Sequence, residues 1–161
     1  MEQNKGNFKE KLAFGQQGEK LIAEKLIKKG FNVMPLYQFS DELAPQIISK
    51  KQNYISPDLI CFKNGKSIFI EVKSKKKWVN FNGIIETGCN YKHYKHYKKL
   101  AIKTNLDVYI FFNHVKGDFQ GIYYVNVLTD GRYWDGVVNG SKIYNEEYFW
   151  NRKNLKQIKY N

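Results

Sequence analysis

Cysteine, proline and long apolar runs are all scarce in this sequence. Its 161 residues include two cysteines and three prolines, and no stretch reaches the ~18 apolar residues of a membrane span. Two cysteines are too few for a disulfide framework, and Cys61 lies in an apolar strand pattern that suits a core position. The N-terminus is polar, unlike a secretory leader. We therefore expect reduced thiols, a cytoplasmic location and no membrane partner.

Acidic residues are also in short supply. The chain has 27 basic and 15 acidic side chains and a formal charge of +12. A small protein this basic usually binds a polyanion, and nucleic acid is the first candidate. A genome that favours lysine codons would give the same charge on a merely solvated surface. With 42% hydrophobic residues we expect a single domain, with a core over about residues 8–113 and a C-terminal strand and tail over about 114–161.

The first predicted element is an amphipathic helix. Between Phe8 and Lys29 the apolar residues recur at helical period, and Gly30 ends the run. Glu19 projects from the middle of the apolar stripe, with Leu12, Gly15, Ala23 and Leu26 around it. A buried carboxylate is costly without a polar partner. The position of Glu19 therefore predicts something polar opposite it.

A short strand and a long irregular segment follow. Phe31 to Leu36 is typical of a strand, whereas Tyr37 to Ser56 has no sustained period and is predicted to be a loop. Loops of this length inside a compact domain are often functional, which makes this one a candidate substrate flap. A short irregular helix around residues 41–48 is an equally good alternative.

A β-hairpin is predicted next. Leu59 to Phe62 and Ser67 to Lys73 are β-rich, and Asn64-Gly65 between them is the strongest local signal for a tight turn.

This hairpin brings charged side chains together. Glu71 and Lys73 share one face because side chains alternate along a strand, and the turn places Asp58 opposite Glu71. Clustered carboxylates repel each other unless a cation lies between them. Hard oxygen ligands of this kind suit magnesium or manganese.

The next predicted helix, from about Asn90 to Thr104, has one basic and one packing face. The basic face carries Lys92, Lys95, His96, Lys99 and Lys103, and the packing face carries His93, Tyr94, Tyr97, Leu100 and Ala101. Two more strands are expected at Leu106 to Asn113 and Phe119 to Leu128, and the pattern beyond them predicts little.

Two basic segments are candidate nucleic-acid-binding surfaces. Lys75, Lys76 and Lys77 come directly after the second hairpin strand, and the basic helix face would extend that surface. Lysine contacts to phosphate give affinity without sequence information. A solvated charge run is the alternative in both places. Cys89, His93 and His96 have no fourth ligand at a suitable spacing, so zinc is not predicted.

At this point the sequence resembles a known family. Pro57-Asp58, twelve intervening residues and Glu71-Val72-Lys73 look like the PD-(D/E)xK nuclease signature, and Gly15 to Glu19 supplies a Gly-x-x-x-Glu element in the preceding helix. The stretch from Gly15 to Lys77 is similar to archaeal-type and phage Holliday junction resolvases. The resemblance implies an α/β, restriction-endonuclease-like core of order αβββαβ, with a mixed central sheet and a C-terminal extension.

The resemblance also implies an activity, that of a magnesium-dependent endodeoxyribonuclease working in DNA recombination or repair. Asp58, Glu71, the Val72 carbonyl and Glu19 would bind Mg²⁺, for which Mn²⁺ can substitute, and Lys73 would position or activate the attacking water. Catalytic roles then fall to Glu19, Asp58, Glu71 and Lys73.

The substrate stays open at this level, because restriction, repair and phage recombination nucleases share one core. Branched DNA such as a Holliday junction is the first expectation, and duplex or single-stranded DNA is the alternative. A catalytically inactive DNA-binding module on the same fold is a further alternative. Symmetric cutting of two strands would call for a homodimer.

Overall fold

A computed structural model describes residues 3–36, 46–48 and 53–158 of the chain. Two α-helices lie in this part, α1 (Gln3–Lys28) and α2 (Tyr91–Thr104). The strands up to α2 are β1 (Asn32–Pro35), β2 (Gln46–Ile47), β3 (Tyr54–Ile55), β4 (Leu59–Lys63), β5 (Lys66–Lys75), β6 (Val79–Phe81) and β7 (Ile84–Asn90). The strands after it are β8 (Asp107–His114), β9 (Gly121–Asn126), β10 (Arg132–Trp134), β11 (Val137–Val138), β12 (Ser141–Lys142), β13 (Glu147–Asn151) and β14 (Lys156–Ile158), with a 3₁₀ turn at Arg152–Asn154. Neither of these two helices combines the length and the apolar character needed to cross a bilayer.

The main layer is a mixed six-stranded sheet of order β1-β4-β5-β8-β9-β14. Its central pair, β5 and β8, is parallel, and the other neighbours are antiparallel. Parallel neighbours need a crossover connection, and here the crossover contains β6, β7 and α2. The mixed α/β class predicted from the sequence is confirmed.

Two apolar cores cover the two faces of this sheet. Successive residues of β5 alternate between them, because side chains alternate along a strand. Phe69 belongs to the core that contains the buried residues of α2, and Ile70 belongs to the core that contains Ile22 and Leu26 of α1. Glu71 and Lys73 therefore share the side of Phe69, whereas Val72 and Ser74 share the side of Ile70.

The predicted helices are confirmed. In α2, Asn90 caps the first turn by accepting a hydrogen bond from the Lys92 backbone N–H at 2.9 Å, and Asn105 ends the helix in the left-handed conformation. In α1, Leu26 is buried as expected, but Leu12 is 45% exposed. Leu12 precedes Gly18, which is the first buried position among residues 9–28 of this helix.

The segment predicted as a loop contains two short paired strands. Gln46 and Ile47 of β2 pair with Ile55 and Tyr54 of β3. The extended pairing at 46–47 contradicts the alternative of a helix continuing to residue 48. Residues 37–45 and 49–52, which made up most of the candidate flap, lie outside the described residues.

The region after residue 128 differs from the predicted strand and tail. Its strand β13 lies in a second sheet of order β10-β13-β7-β6, and β14 extends the main sheet by pairing with β9. Phe149 and Trp150 of β13 are buried, with exposures of 4% and 0%. These aromatic side chains anchor the segment, although a strand of five residues among polar neighbours gives only a weak period-two signal.

Candidate active site

The β4–β5 hairpin positions the first two candidate residues. Asn64 and Gly65 in its turn have positive φ values of 51° and 74°, as the tight primed turns require. Leu59 lies opposite Ile70 in the register, so Asp58, one residue earlier, faces Glu71. The Val72 backbone N–H donates a hydrogen bond of 2.7 Å to Asp58 Oδ2. This bond fixes the orientation of the Asp58 carboxylate across the hairpin.

Glu71 and Lys73 form an ion pair on the side of the sheet that faces α2. Lys73 Nζ donates to Glu71 Oε1, while Glu71 Oε2 is buried and has no hydrogen-bond partner among the described residues. Burial by itself would lower the pKa of Lys73, but the carboxylates of Glu71 and Asp58 outweigh it and raise that pKa. Lys73 is therefore a permanent cation, and its side chain is 26% exposed.

The cluster contains more carboxyl groups than Lys73 alone can pair with. Burial, followed by repulsion from Glu71, raises the pKa of Asp58 well above its ordinary value, even though Lys73 opposes the change. The same two causes raise the pKa of Glu19. Glu19 on α1 is half-buried and lies within the electrostatic reach of Glu71 and Lys73.

A close helix-to-sheet contact sets the distance of Glu19 from the hairpin. A Cβ atom added at Gly18 would overlap Ser74 Oγ and come within 3.5 Å of Ser74 Cβ and 3.6 Å of Asn113 Nδ2. The missing side chain therefore lets α1 lie directly on β5 and β8. Ser74 Oγ is buried in this contact without a hydrogen-bond partner among the described residues. Gly18 is a structural determinant of the site that the sequence interpretation did not single out.

The helix α2 contributes two neighbours that were assigned only to packing. Tyr97 is buried beside Glu71, and its pKa is raised by burial and then by the Glu71 carboxylate. His93, one turn earlier, contacts the Tyr97 ring edge-on at 6.5 Å between centroids. Burial and then Lys73 lower the pKa of His93. The signal in the sequence was the i, i+4 spacing of His93 and Tyr97 in the first turns of α2, the helix that follows β7.

The side-chain oxygen atoms of the site can be compared with the ligands that a metal ion requires. Within residues 3–36, 46–48 and 53–158 no three His, Cys, Asp or Glu side chains are gathered into a ready coordination shell. The pair formed by Asp58 and Glu71 nevertheless fits a hard cation, because Glu71 Oε2 is a buried carboxylate oxygen that lacks a partner. Participation of Glu19 and the Val72 carbonyl stays a prediction.

The cysteines are buried free thiols, as expected for reduced cysteine. Burial raises the pKa of Cys61 to about 11 and that of Cys89 to about 12. Both are therefore neutral thiols at neutral pH, which disfavours a role as thiolate ligands.

The predicted basic surfaces are largely exposed. Lys76 and Lys77 are exposed, whereas Lys75 is half-buried and its pKa is lowered by burial. On the predicted basic face of α2, Lys92, Lys95, Lys99 and Lys103 are exposed and His96 is half-buried. Burial and the surrounding lysines lower the pKa of His96, so it is mainly neutral at neutral pH.

No protein-family model and no curated protein matches this sequence. Among solved structures, the fold is similar to that of Archaeoglobus fulgidus Hjc, a Holliday junction resolvase from an archaeal hyperthermophile. The TM-score is 0.52 at 13% sequence identity, and the match covers 86% of this chain and 89% of that chain. At this identity the likeness shows a shared fold.

Proposed function

We propose that this protein is a metal-dependent endodeoxyribonuclease of the PD-(D/E)xK class that hydrolyses phosphodiester bonds in branched DNA. The observation that carries the proposal is the convergence of Asp58, Glu71 and Lys73 at one end of the β4–β5 hairpin. The fold likeness to a Holliday junction resolvase supports the same conclusion. A fold by itself hosts many functions, and the proposal therefore rests first on these side chains.

The proposal assigns α1, β1, β4, β5, α2 and β8 to the αβββαβ core of that class and treats β2–β3 and β6–β7 as insertions. In this assignment Asp58, Glu71 and the Val72 carbonyl would hold Mg²⁺ or Mn²⁺, and Glu19 would join them from α1. A bound cation supplies charge neutralisation at the phosphate and lowers the pKa of a coordinated water.

The remaining roles belong to the side chains themselves. The Val72 N–H holds the Asp58 carboxylate in a fixed orientation, and the buried Tyr97 interacts with the Glu71 carboxylate. Lys73 keeps its proton and so presents a fixed positive charge where negative charge develops on the phosphate. His93 lies at the α2 side of the cluster, where a neutral imidazole can donate a hydrogen bond to a phosphate oxygen.

Exposed lysines would bind the DNA backbone on both sides of this cluster. The exposed Lys76 and Lys77 directly follow β5, the strand that carries Glu71 and Lys73, and the basic face of α2 begins next to His93. A two-fold homodimer would place two such clusters on two strands of a junction.

The test is cleavage of labelled four-way junction, flap, duplex and single-stranded DNA with Mg²⁺. We expect Asp58→Asn and Glu71→Gln to lose cleavage by about 100-fold or more, because each removes a charged oxygen donor without changing shape. Both variants should keep wild-type affinity for DNA in Ca²⁺. Glu24→Gln, at an exposed acid of α1, is the matched control and should cleave normally.

Wild-type turnover in either site variant would contradict the assignment. Tight binding of every DNA by the wild type, without cleavage in Mg²⁺ or Mn²⁺, would instead support a catalytically inactive DNA-binding module.

A further inference from the structure

The hairpin formed by β6 and β7, residues 79–90, has an apolar tip. Asn82 and Gly83 form its turn with positive φ values of 50° and 81°. Phe81 and Ile84 lie directly opposite each other beside that turn, so their side chains share one face. Phe81 is 43% exposed and Ile84 is 42% exposed. Two large apolar side chains therefore face solvent at the end of an edge hairpin.

An ionic brace holds this tip in place. The Arg132 guanidinium lies over the Phe81 ring at 4.1 Å from its centroid. Arg132 Nε donates to Glu86 Oε1 at 3.3 Å, Arg132 Nη2 donates to Glu86 Oε2 at 2.5 Å, and Glu86 is only 4% exposed. A bidentate pair of this kind fixes the guanidinium plane, so Phe81 rests on a rigid support.

The base of the hairpin is fixed as well. Trp78, immediately before β6, stacks on His114 with ring centroids 3.8 Å apart and an angle of 5° between the planes. Its indole N–H donates to the Phe119 carbonyl at 3.1 Å. The hairpin is thus anchored at both its base and its tip.

The hairpin is also connected to the candidate active site. Lys75 to Lys77 lead from β5 into β6, and Phe81 lies no more than about 13 Å of extended chain beyond Lys77. At the other end of β7, Cys89 lies within the electrostatic reach of Lys73. Six residue steps along the extended β7 lead from Gly83 to Cys89, so the tip lies within about 20 Å of Cys89. That distance is about six base-pair steps of DNA.

We propose that the β6–β7 hairpin is a DNA wedge that inserts Phe81 and Ile84 into an opened base step next to a branch point. This inference rests on the proposed function and specifies how branched DNA is engaged. Apolar side chains inserted between base steps unstack them and kink the helix, and a branch point already lacks part of its stacking. The lysines at the base of the hairpin, Lys75 to Lys77, favour DNA as the occupant of the tip, because they place positive charge for backbone phosphates next to the apolar side chains.

The experiment uses a four-way junction that carries 2-aminopurine at successive positions within six nucleotides of the branch, bound by the full chain in Ca²⁺. We expect 2-aminopurine fluorescence to rise at least about twofold at one or two adjacent positions, since insertion unstacks the base. Phe81→Ser with Ile84→Ser should abolish the rise while affinity falls less than about tenfold, because the lysines remain. Phe81→Leu, which keeps the tip apolar, should retain it.

A second hairpin provides the matched control. Asn139 and Gly140 join β11 and β12 through the same type of turn, and Val137 and Val138 are 36% and 37% exposed. Val137→Ser with Val138→Ser should leave the fluorescence rise unchanged. An equal loss in this control, or no rise when the wild type is bound, would overturn the wedge.

Two outcomes separate this proposal from the nuclease assignment. A fluorescence rise without cleavage in Mg²⁺ supports the wedge and refutes the nuclease, whereas cleavage without any rise refutes only the wedge. Failure of the wild type to bind the junction would overturn the wedge. So would a dimer, seen by sedimentation without DNA, that the Phe81→Ser/Ile84→Ser variant loses.

Discussion

Replacing His114 with phenylalanine should remove a defined part of the acid sensitivity of folding. His114 is 1% exposed, its Nε2 lies 3.0 Å from Thr87 Oγ1, and its ring stacks on Trp78. Its Nδ1 is buried without a partner among the described residues. Burial, and then the positive charge of Lys75, lower the pKa of His114 from 6.5 to about 4.

The sign of the effect follows from where the proton binds. Below pH 6.5 the unfolded chain protonates His114, whereas the folded chain keeps it neutral until the pH approaches 4. Stability from the neutral imidazole is therefore complete above pH 6.5 and is lost as the pH falls towards 4. A pKa difference of 2.5 units corresponds to about 3 kcal/mol in total, of which about 2 kcal/mol is lost by pH 5.

Urea unfolding at pH 7.5 and pH 5.0 measures this contribution of His114 to stability. Between pH 7.5 and pH 5.0 the free energy of unfolding should fall by about 2 kcal/mol less in His114→Phe than in the wild type. The carboxylates of the protein contribute equally to the fall in both. His114→Gln, which can keep the Thr87 hydrogen bond, should behave like His114→Phe. His96→Gln on the surface of α2 is the control and should follow the wild type more closely. Equal acid destabilisation in His114→Phe and the wild type would refute the argument, as would an NMR titration of His114 near pH 6.5.

Three further changes test the site. Lys73→Ala should lower kcat by about 10²- to 10³-fold and leave metal affinity measured by titration nearly unchanged; normal kcat with weakened metal binding would reverse its role. Glu19→Gln should leave the metal-free protein equally or more stable at neutral pH, because Glu19 has a raised pKa and its ionised form is disfavoured in the fold. Its activity should fall, whereas a lower melting temperature with normal activity would make Glu19 structural. Gly18→Ala should cost about 1–3 kcal/mol of stability through overlap with Ser74 Oγ, and adding Ser74→Ala should restore most of it in a double-mutant cycle.

Local turn chemistry explains why some hairpins were predictable. Asn-Gly marks the turn at 64–65, and the strands around it have clear β character, so this hairpin was predicted with its register. The same dipeptide occurs at 82–83 and 139–140 with the same positive φ values. These two turns were not singled out, because at least one strand beside each turn has only two or three residues and gives hardly any periodic signal.

The candidate site was likewise predictable from the sequence only in part. Alternation along β5 was enough to put Glu71 and Lys73 on one face, and the adjacent turn was enough to bring Asp58 opposite Glu71. The places of Tyr97 and His93 beside this cluster depend on how α2 crosses the sheet. A helical pattern shows which face is apolar, but it does not show which strand that face meets.

The sequence alone determined the elements whose physics is local: the two amphipathic helices, the β4–β5 hairpin, the strands around β8 and β9, and the order of the acidic and basic residues along them. Tertiary structure decided what depends on contacts between distant segments. It joined β5 to β8 in parallel, brought α1 onto Ser74 at Gly18, and placed β13 against β7 to form a second sheet. Such contacts depend on shape and burial across the whole chain. A short window of sequence does not specify which distant element will pack against an apolar face.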